Sequence, residues 1–399
     1  MTQSKLQKPE TILPVPDQDA LIQSEKLIGC IKAALDTQGA AISFDEYMKL
    51  ALYAPGLGYY SAGSRKFGSE GDFVTAPELS PIFSRCLAHQ CKQVLNELGT
   101  GNILELGAGT GAMARDILPE LEKQDALPEK YLILEVSADL KQRQQTNLKE
   151  TIPHLIERVV WLDALPEDGV AGVILANEVL DALPVKRFKK TVGGFKELKV
   201  GLGDNQFIWV ESDAKGELLN NLEELENDLS TSFPENYVSE INTQLGSWLS
   251  GLESALNKGV MFFIDYGYSA AEYYHPERMD GSLLCHYRHR VHADPFYNPG
   301  LQDITCSANF TALAECAGSV GLHVSGYTNQ TYFLFGCGLE ELLADMNQLD
   351  IKAQTKIAQQ VRILTMPEEM GERFKVMALT KDYNSILQGF TLMDQRVRL

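Results

Sequence analysis

Apolar residues in this chain fall into seven short runs, at about 102–107, 131–136, 158–162, 172–176, 259–265, 322–327 and 374–379. Runs of this length, rich in Ile, Leu, Val and Phe, read as strands. Apolar spacing of three and four residues between them predicts helices near 111–123, 138–150, 309–320 and 338–361. Three more helices precede the first run, from about Gln23 to Leu35, from Phe44 to near Tyr53, and from Pro81 to near Gly99. Ser43-Phe44-Asp45-Glu46 is a capping box, with Ile42 and Tyr47 as its hydrophobic staple. Ser80-Pro81 is an N-cap followed by a proline at the first helical position. Alternation of strand and helix implies an α/β fold with a mostly parallel, doubly wound sheet. The run Phe374-Lys375-Val376-Met377-Ala378-Leu379 reads as a late edge strand.

Two stretches break the alternation. Residues 186–212 read as antiparallel strands with turns at Gly193-Gly194 and Gly203-Asp204-Asn205. An acidic helix near 215–230 and a second helix near 238–256 follow, so the insertion spans 186–256. The stretch 266–308 has little periodicity and many aromatic, His, Pro and Gly residues. A loop that long inside a compact domain is usually functional. The chain then divides into an N-terminal arm, helices and glycine-rich cap loop (1–99), a core with both insertions (100–337), and C-terminal helices with a strand that completes the core (338–399).

The first run ends in Glu105-Leu106-Gly107-Ala108-Gly109-Thr110-Gly111, and a helical pattern follows at once. Strand, glycine turn and helix open a βαβ unit. Glycines there permit φ > 0 and close approach of a ligand to the backbone. In the dinucleotide fingerprint G-x-G-x-x-G/A the third glycine comes one residue later. The spacing here, with Glu105 before the turn, is that of an S-adenosylmethionine site. Candidate cofactor contacts are therefore Glu105, Gly107, Gly109, Thr110 and Gly111. Glu135 ends the second strand about 20 residues on, where an acid can accept hydrogen bonds from ribose hydroxyls. Asp163-Ala164 follows the third strand, where an adenine can sit, and equally reads as an ordinary turn.

Asn177-Glu178-Val179-Leu180-Asp181 follows the fourth strand, and ligands of open α/β sheets bind at such ends. Asn177 is a further cofactor candidate. Glu178 and Asp181 share one face if the segment is helical. An N-cap with first-turn acids would explain the same residues. Asp72, in Gly71-Asp72-Phe73-Val74-Thr75-Ala76-Pro77-Glu78, closes the N-terminal glycine loop, and Asp303 ends the second insertion. Both are candidate acids. Asp265-Tyr266-Gly267-Tyr268 ends the fifth strand at the same sheet edge. The segment 56–78 and the loop 266–308 are expected to close over one crevice there. His286, His289 and His292 lie among Pro and Gly with no accompanying carboxylate motif, so no metal site is assigned. No P-loop, G-x-S-x-G or H-E-x-x-H is present.

Net charge is −19, from 35 basic and 54 acidic residues. That balance disfavours nucleic acid as a partner and suits a basic substrate. Seven scattered cysteines with no C-x-x-C indicate reduced thiols. The polar, proline-bearing start lacks a signal-like apolar core and is poor in arginine, and no apolar stretch of about 18 residues exists. The expected location is cytoplasmic, with no membrane insertion.

Several segments together resemble the MidA-type S-adenosylmethionine-dependent methyltransferase family. They are Tyr53-Ala54-Pro55-Gly56-Leu57-Gly58-Tyr59-Tyr60, Gly71–Glu78, Glu105–Gly111, Asn177–Pro184, Asp265–Tyr268, Asp294-Pro295, Pro299-Gly300, Gln302-Asp303-Ile304-Thr305 and Met370–Val376. The resemblance covers residues about 43 to 380. Val179-Leu180 is aliphatic where the family's Asn-Glu loop is expected to carry aromatics. The resemblance implies a Rossmann-like class I methyltransferase fold with a seven-stranded sheet, S-adenosylmethionine as donor and a protein arginine as acceptor. In mitochondrial members, which are complex I assembly factors, it implies symmetric dimethylation and a respiratory-complex subunit as the protein substrate. A homodimer is left open.

Arginine is a difficult nucleophile because its guanidinium is effectively always protonated. A carboxylate pair can bind it in bidentate fashion, and a carboxylate can take the proton lost on methylation. Glu178 is the first choice for that role, with Asp181, Asp72 and Asp303 as candidate partners. The competing readings are a chaperone that keeps the fold without turnover, a methyltransferase of a small molecule or another side chain, and an NAD-dependent oxidoreductase.

Overall fold

The computed structural model describes residues 13–62, 74–230, 232–344 and 350–399. Its central sheet is built from β1 (Asn102–Leu106), β2 (Tyr131–Leu134), β3 (Val159–Leu162), β4 (Val170–Asn177), β5 (Leu256–Tyr268), β6 (His323–Asn329) and β7 (Phe374–Lys381). The strand order is β6-β7-β5-β4-β1-β2-β3, and the two-residue strand Ala308–Asn309 pairs with the end of β5. Strands β5, β4, β1, β2 and β3 are mutually parallel, and β7 runs antiparallel to both its neighbours. The carboxyl ends of β1, β2, β4 and β5 therefore share one edge. The order turns back between β1 and β4, which is the switch point where such sheets hold ligands.

β7 is not the edge strand that its late position suggested. It lies between β5 and β6, with Phe263 opposite Met377 and Tyr327 opposite the same residue on the other side. Val376, Met377, Ala378 and Leu379 are all buried, because the two faces of the sheet carry separate cores. An edge strand with one wet face would alternate.

Helices cover both faces. Pro81–Leu98 and Ala112–Lys123 pack with Ile103, Ile133, Val173, Leu175 and Phe262 on one side. Leu245–Ala255 and Phe310–Ser319 pack with Leu104, Ile174, Met261 and Phe263 on the other. Ser80 accepts a hydrogen bond from the Ile82 amide at 3.4 Å, and Gly99 closes the same helix at φ 84°. Ser43 stands at the N-cap of Phe44–Tyr53, but its side chain makes no capping bond. Burial of Ile42 and Tyr47 in the adjoining core fixes that entry instead. Leu339–Ala344 and Ile351–Thr365 are helical in the region read as 338–361.

The first insertion forms the antiparallel strands Lys186–Thr191, Gly194–Gly203 and Gln206–Asp213, followed by the helix Gly216–Asp228. The stretch read as one helix from 238 to 256 is in fact a strand, Val238–Ile241, and then the helix Leu245–Ala255. Pairing of Val238–Ile241 with Lys186–Lys189 overrides its helical spacing. Ala41 and Ile42 add a short strand to the other side of this sheet. Phe44, Tyr47 and Val200 share one core there, so the N-terminal helices are seated on the insertion.

The stretch 266–308 is more ordered than its lack of periodicity suggested. Leu284–Tyr287, Arg290–His292 and Asp303–Thr305 make a small antiparallel sheet. His289 sits in its hairpin turn at φ 59°, so the histidines do not align on a helix. Among the described residues no helix is long and apolar enough to cross a membrane.

Candidate active site

The glycine turn bends the chain out of β1 with Gly107, Gly109 and Gly111 at φ 62°, 54° and 82°. All three lie in the left-handed region that disfavours residues with a Cβ. Their surroundings differ. A Cβ on Gly109 would meet nothing within 4 Å, whereas one on Gly111 would touch Gln144 and Leu148 at 3.6 Å. Gly109 faces open space, and Gly111 serves close packing of the turn on the helix Ala138–Thr151. Gly111, a predicted cofactor contact, accordingly does not line the cavity, but Gly107, Gly109 and Thr110 do. The cavity has a volume of about 830 Å³ and runs from this turn past the ends of β2 and β4.

At its β1–β2 side stand two carboxylates. Glu105 is buried and accepts a hydrogen bond from the Tyr131 hydroxyl at 2.7 Å. Burial pushes its carboxyl up to about 7, the Tyr131 hydroxyl opposes this, and the charge of Glu135 adds to it. Glu135 accepts from the Ser137 amide and from Gln144 Nε2, each at 2.9 Å. Buried Gln144 also donates to the Gly109 carbonyl at 2.9 Å and accepts from Trp161 Nε1 at 3.0 Å. It therefore ties the glycine turn to the acid at the end of β2. Gln144 carries no motif and is visible in sequence only as a polar residue within a helix.

Asp163 and Ala164 do not reach this cavity. The Asp163 side chain is 89% exposed and pairs with Lys141 at 2.8 Å, and Leu165 takes the cavity wall in its place. Val136, Leu140, Trp248 and Leu252 complete that apolar wall. An exposed pair of this kind contributes little. Asp163→Ala should change S-adenosylmethionine affinity by less than about threefold. Calorimetry checks this, and a large loss would put Asp163 on the ligand.

The segment after β4 carries the acids. Residues 178–183 form an irregular turn rather than a helix, so the helix-cap explanation of Glu178 and Asp181 does not hold. Glu178 adopts φ 53° while its amide donates to the Ile264 carbonyl at 2.9 Å. For a residue with a Cβ that backbone state costs of order 1 to 3 kcal/mol and persists only where surroundings enforce it. Asn177 Nδ2 donates to Glu178 Oε1 at 3.3 Å, and the Ala76 amide also donates to that carboxylate. Burial and the nearby Asp181 push Glu178 up to about 8. Burial likewise raises Asp181 to about 6. Asp265, fully buried behind them, is raised by burial and by both neighbours.

Asn177, Glu178, Asp181 and Glu78 line the cavity together. Asn177 Oδ1 and Asp181 Oδ1 are buried acceptors with no hydrogen-bond partner among the described residues. Buried acceptors of this kind call for a donor from a ligand or water. Tyr53 and Tyr60 close this end, their rings stacked at 5.6 Å. Asp303 is buried behind them and accepts from the Tyr60 hydroxyl at 2.9 Å. It does not line the cavity, because Tyr60 stands between. Among the described residues of the second insertion none lines the cavity, and the insertion supports its wall through Asp303 on Tyr60 and through the Cys306 amide on the Asp181 carbonyl. Residues 53–61 and 75–78 form its wall. Asp72 lies outside the described residues.

An open cradle at Gly109, a carboxylate at the end of β2, an apolar wall beyond it and unpartnered acceptors after β4 fit S-adenosylmethionine. A family model for S-adenosyl-L-methionine-dependent methyltransferases matches residues 86–328, more than half of the chain. A Burkholderia thailandensis protein solved with S-adenosyl-homocysteine superposes with a TM-score of 0.92 at 40% identity, covering 97% of this chain and 100% of that one. The protein arginine methyltransferase NDUFAF7 homolog of Drosophila melanogaster is 29% identical over 84% of this chain and 80% of its own. Its human counterpart is 28% identical over 85% and 80%. Both relatives are mitochondrial by name, and this overturns the cytoplasmic location read from the sequence. The chain belongs to the family of S-adenosyl-L-methionine-dependent methyltransferases.

Proposed function

We propose that the methyl acceptor is the guanidinium of a protein arginine. The observation that carries this reading is the pairing of Glu178 and Asp181 on one wall of the cavity, next to the glycine turn, with Asp265 behind them. Three buried carboxyl groups at such a point are all pushed up and favour their protonated forms until a cation joins them. A guanidinium supplies one charge and several donors, matching the vacant lone pair of Asp181 Oδ1. The names of the fly and human relatives point to the same acceptor.

Bound S-adenosyl-L-methionine supplies the electrophilic methyl group. Glu178 and Asp181 hold the guanidinium and localise lone-pair density on the nitrogen that attacks. In the transfer the N–C bond would form as the donor's sulfur–methyl bond breaks, the electron pair staying on the departing sulfur, and Glu178 is placed to take the N–H proton that the nitrogen loses. Once ionised, a carboxyl pushed up to about 8 is a stronger base than an ordinary glutamate, so methyl transfer should rise with pH towards that value. The apolar wall and the two tyrosines line the cavity on either side of these acids. Mass spectrometry of methylarginine in a deletion strain and its parent tests the reading. One or more arginine sites should lose methylation in the deletion. Identical methylarginine profiles, with a different methylated product missing, would assign another acceptor.

A further inference from the structure

We propose that Asp265 is the positioning residue of this site, holding the 177–182 turn so that Glu178 and Asp181 face the acceptor. The proposal rests on the reading that those two acids meet the acceptor. Asp265 ends in full burial at the carboxyl end of β5 and does not line the cavity, so it cannot touch the substrate. Its Oδ2 accepts from the Asp181 amide at 3.1 Å, and its Oδ1 accepts from the Tyr266 amide at 2.9 Å. The turn is held at three more points. The Glu178 amide bonds to the Ile264 carbonyl at 2.9 Å, the Cys306 amide to the Asp181 carbonyl at 2.9 Å, and the Tyr53 hydroxyl to the Ala182 carbonyl at 2.9 Å. Of these four anchors, Asp265 alone uses a carboxyl group.

A neutral amide in its place would offer one acceptor oxygen to two N–H groups, so the carboxyl group is what lets one side chain hold both the Asp181 and the Tyr266 amides. Burial and its two acidic neighbours hold the Asp265 carboxyl well above the usual carboxylate range, so its charge joins the field on a cation only once that cation has arrived. The groups facing Asp265 are Glu178 and Asp181 from the turn and Tyr266 from its own strand. Lys375 is opposite in register on β7, but its amine bonds to the Glu372 carbonyl and its charged neighbours are Glu272, Glu372 and Arg398. No cation among the described residues accounts for the acidic trio, which leaves that task to the acceptor.

The test compares Asp265→Asn, Asp181→Asn and the double variant. Labelled S-adenosylmethionine is the donor, and protein extract from a strain lacking this chain is the acceptor. Asp265→Asn should lower turnover about tenfold or more, as mis-set reacting groups do, with S-adenosylmethionine affinity within about threefold of the parent. Its acid limb should move to lower pH, because removing one carboxyl from an interacting set makes the others easier to ionise. In the Asp181→Asn background the second change should add less than about twofold. Unchanged turnover and pH profile in Asp265→Asn, beside an impaired Asp181→Asn, would overturn the proposal. Full additivity in the double variant would do the same. If Asp181→Asn and Glu178→Gln are both fully active, the acceptor-side reading itself fails and this proposal goes with it. Should Asp265→Asn not bind S-adenosylmethionine, Asp265→Ser replaces it. Loss of donor binding there too would make Asp265 a folding residue and end the idea.

Discussion

Gly109→Val weakens S-adenosylmethionine binding by roughly 100-fold or more, about 3 kcal/mol at 1.4 kcal/mol per tenfold. Two effects add. Among the described residues nothing lies within 4 Å of a Cβ at this position, so the new side chain projects into the space a ligand would use. A β-branched residue at φ 54° is also strained and would shift the turn. The companion Glu135→Ala should lose roughly tenfold, since a hydrogen bond to a charged group contributes about 1.5 to 3 kcal/mol. It also frees Gln144 and the Ser137 amide, so Glu135→Gln serves as the milder control. Calorimetric titration of folded variants reads both effects. Parent-like affinity in Gly109→Val would move the donor away from this turn.

The contrast between Gly109 and Gly111 bears on how much of the site is legible in sequence. The motif marks three glycines alike, because each needs φ > 0. Which one faces a ligand depends on where Gln144 and Leu148 of the following helix come to rest, and spacing does not encode that. The parallel strands were legible because each is a dense apolar run, with β1, β4 and β5 buried on both faces. The position of β7 was not, although its apolar residues signal two buried faces, since strand order is a matter of non-local pairing. Val238–Ile241 was misread as helix because four residues carry too little periodicity to outweigh their neighbours. Asp303 was legible as part of a motif, yet its place behind Tyr60 arises from a contact between residues 243 apart in sequence. Asp163 shows the reverse case, a motif position that the structure leaves outside the cavity. A strand-end acid beside a switch point suggests a ligand, but Lys141 on the preceding helix, Ala138–Thr151, pairs with it at the surface.

Glu178→Gln should cut methyl transfer by roughly 100- to 10,000-fold, the range for removal of a general base, while S-adenosylmethionine affinity stays nearly unchanged. The amide keeps the size of the side chain and can still accept from Asn177 and the Ala76 amide, but it cannot take a proton. Stability should move the other way. The folded protein holds the Glu178 carboxyl up at about 8, against an ordinary value of 4.5, chiefly through burial and next through Asp181. A group raised in the folded state binds more protons there than in the unfolded chain. Its contribution is therefore most favourable below about pH 4.5 and is lost as pH rises towards 8. Removing the ionisable group abolishes that loss, so Glu178→Gln should melt higher than the parent at pH 8 and show a smaller difference at pH 5. A catalytic acid set against burial and like charge is a site where activity and stability oppose each other. Thermal melts at the two pH values and labelled-methyl assays check both halves together. A variant that is active on an arginine acceptor, or one less stable than the parent at pH 8, would show that Glu178 is a structural residue and that the proton goes elsewhere.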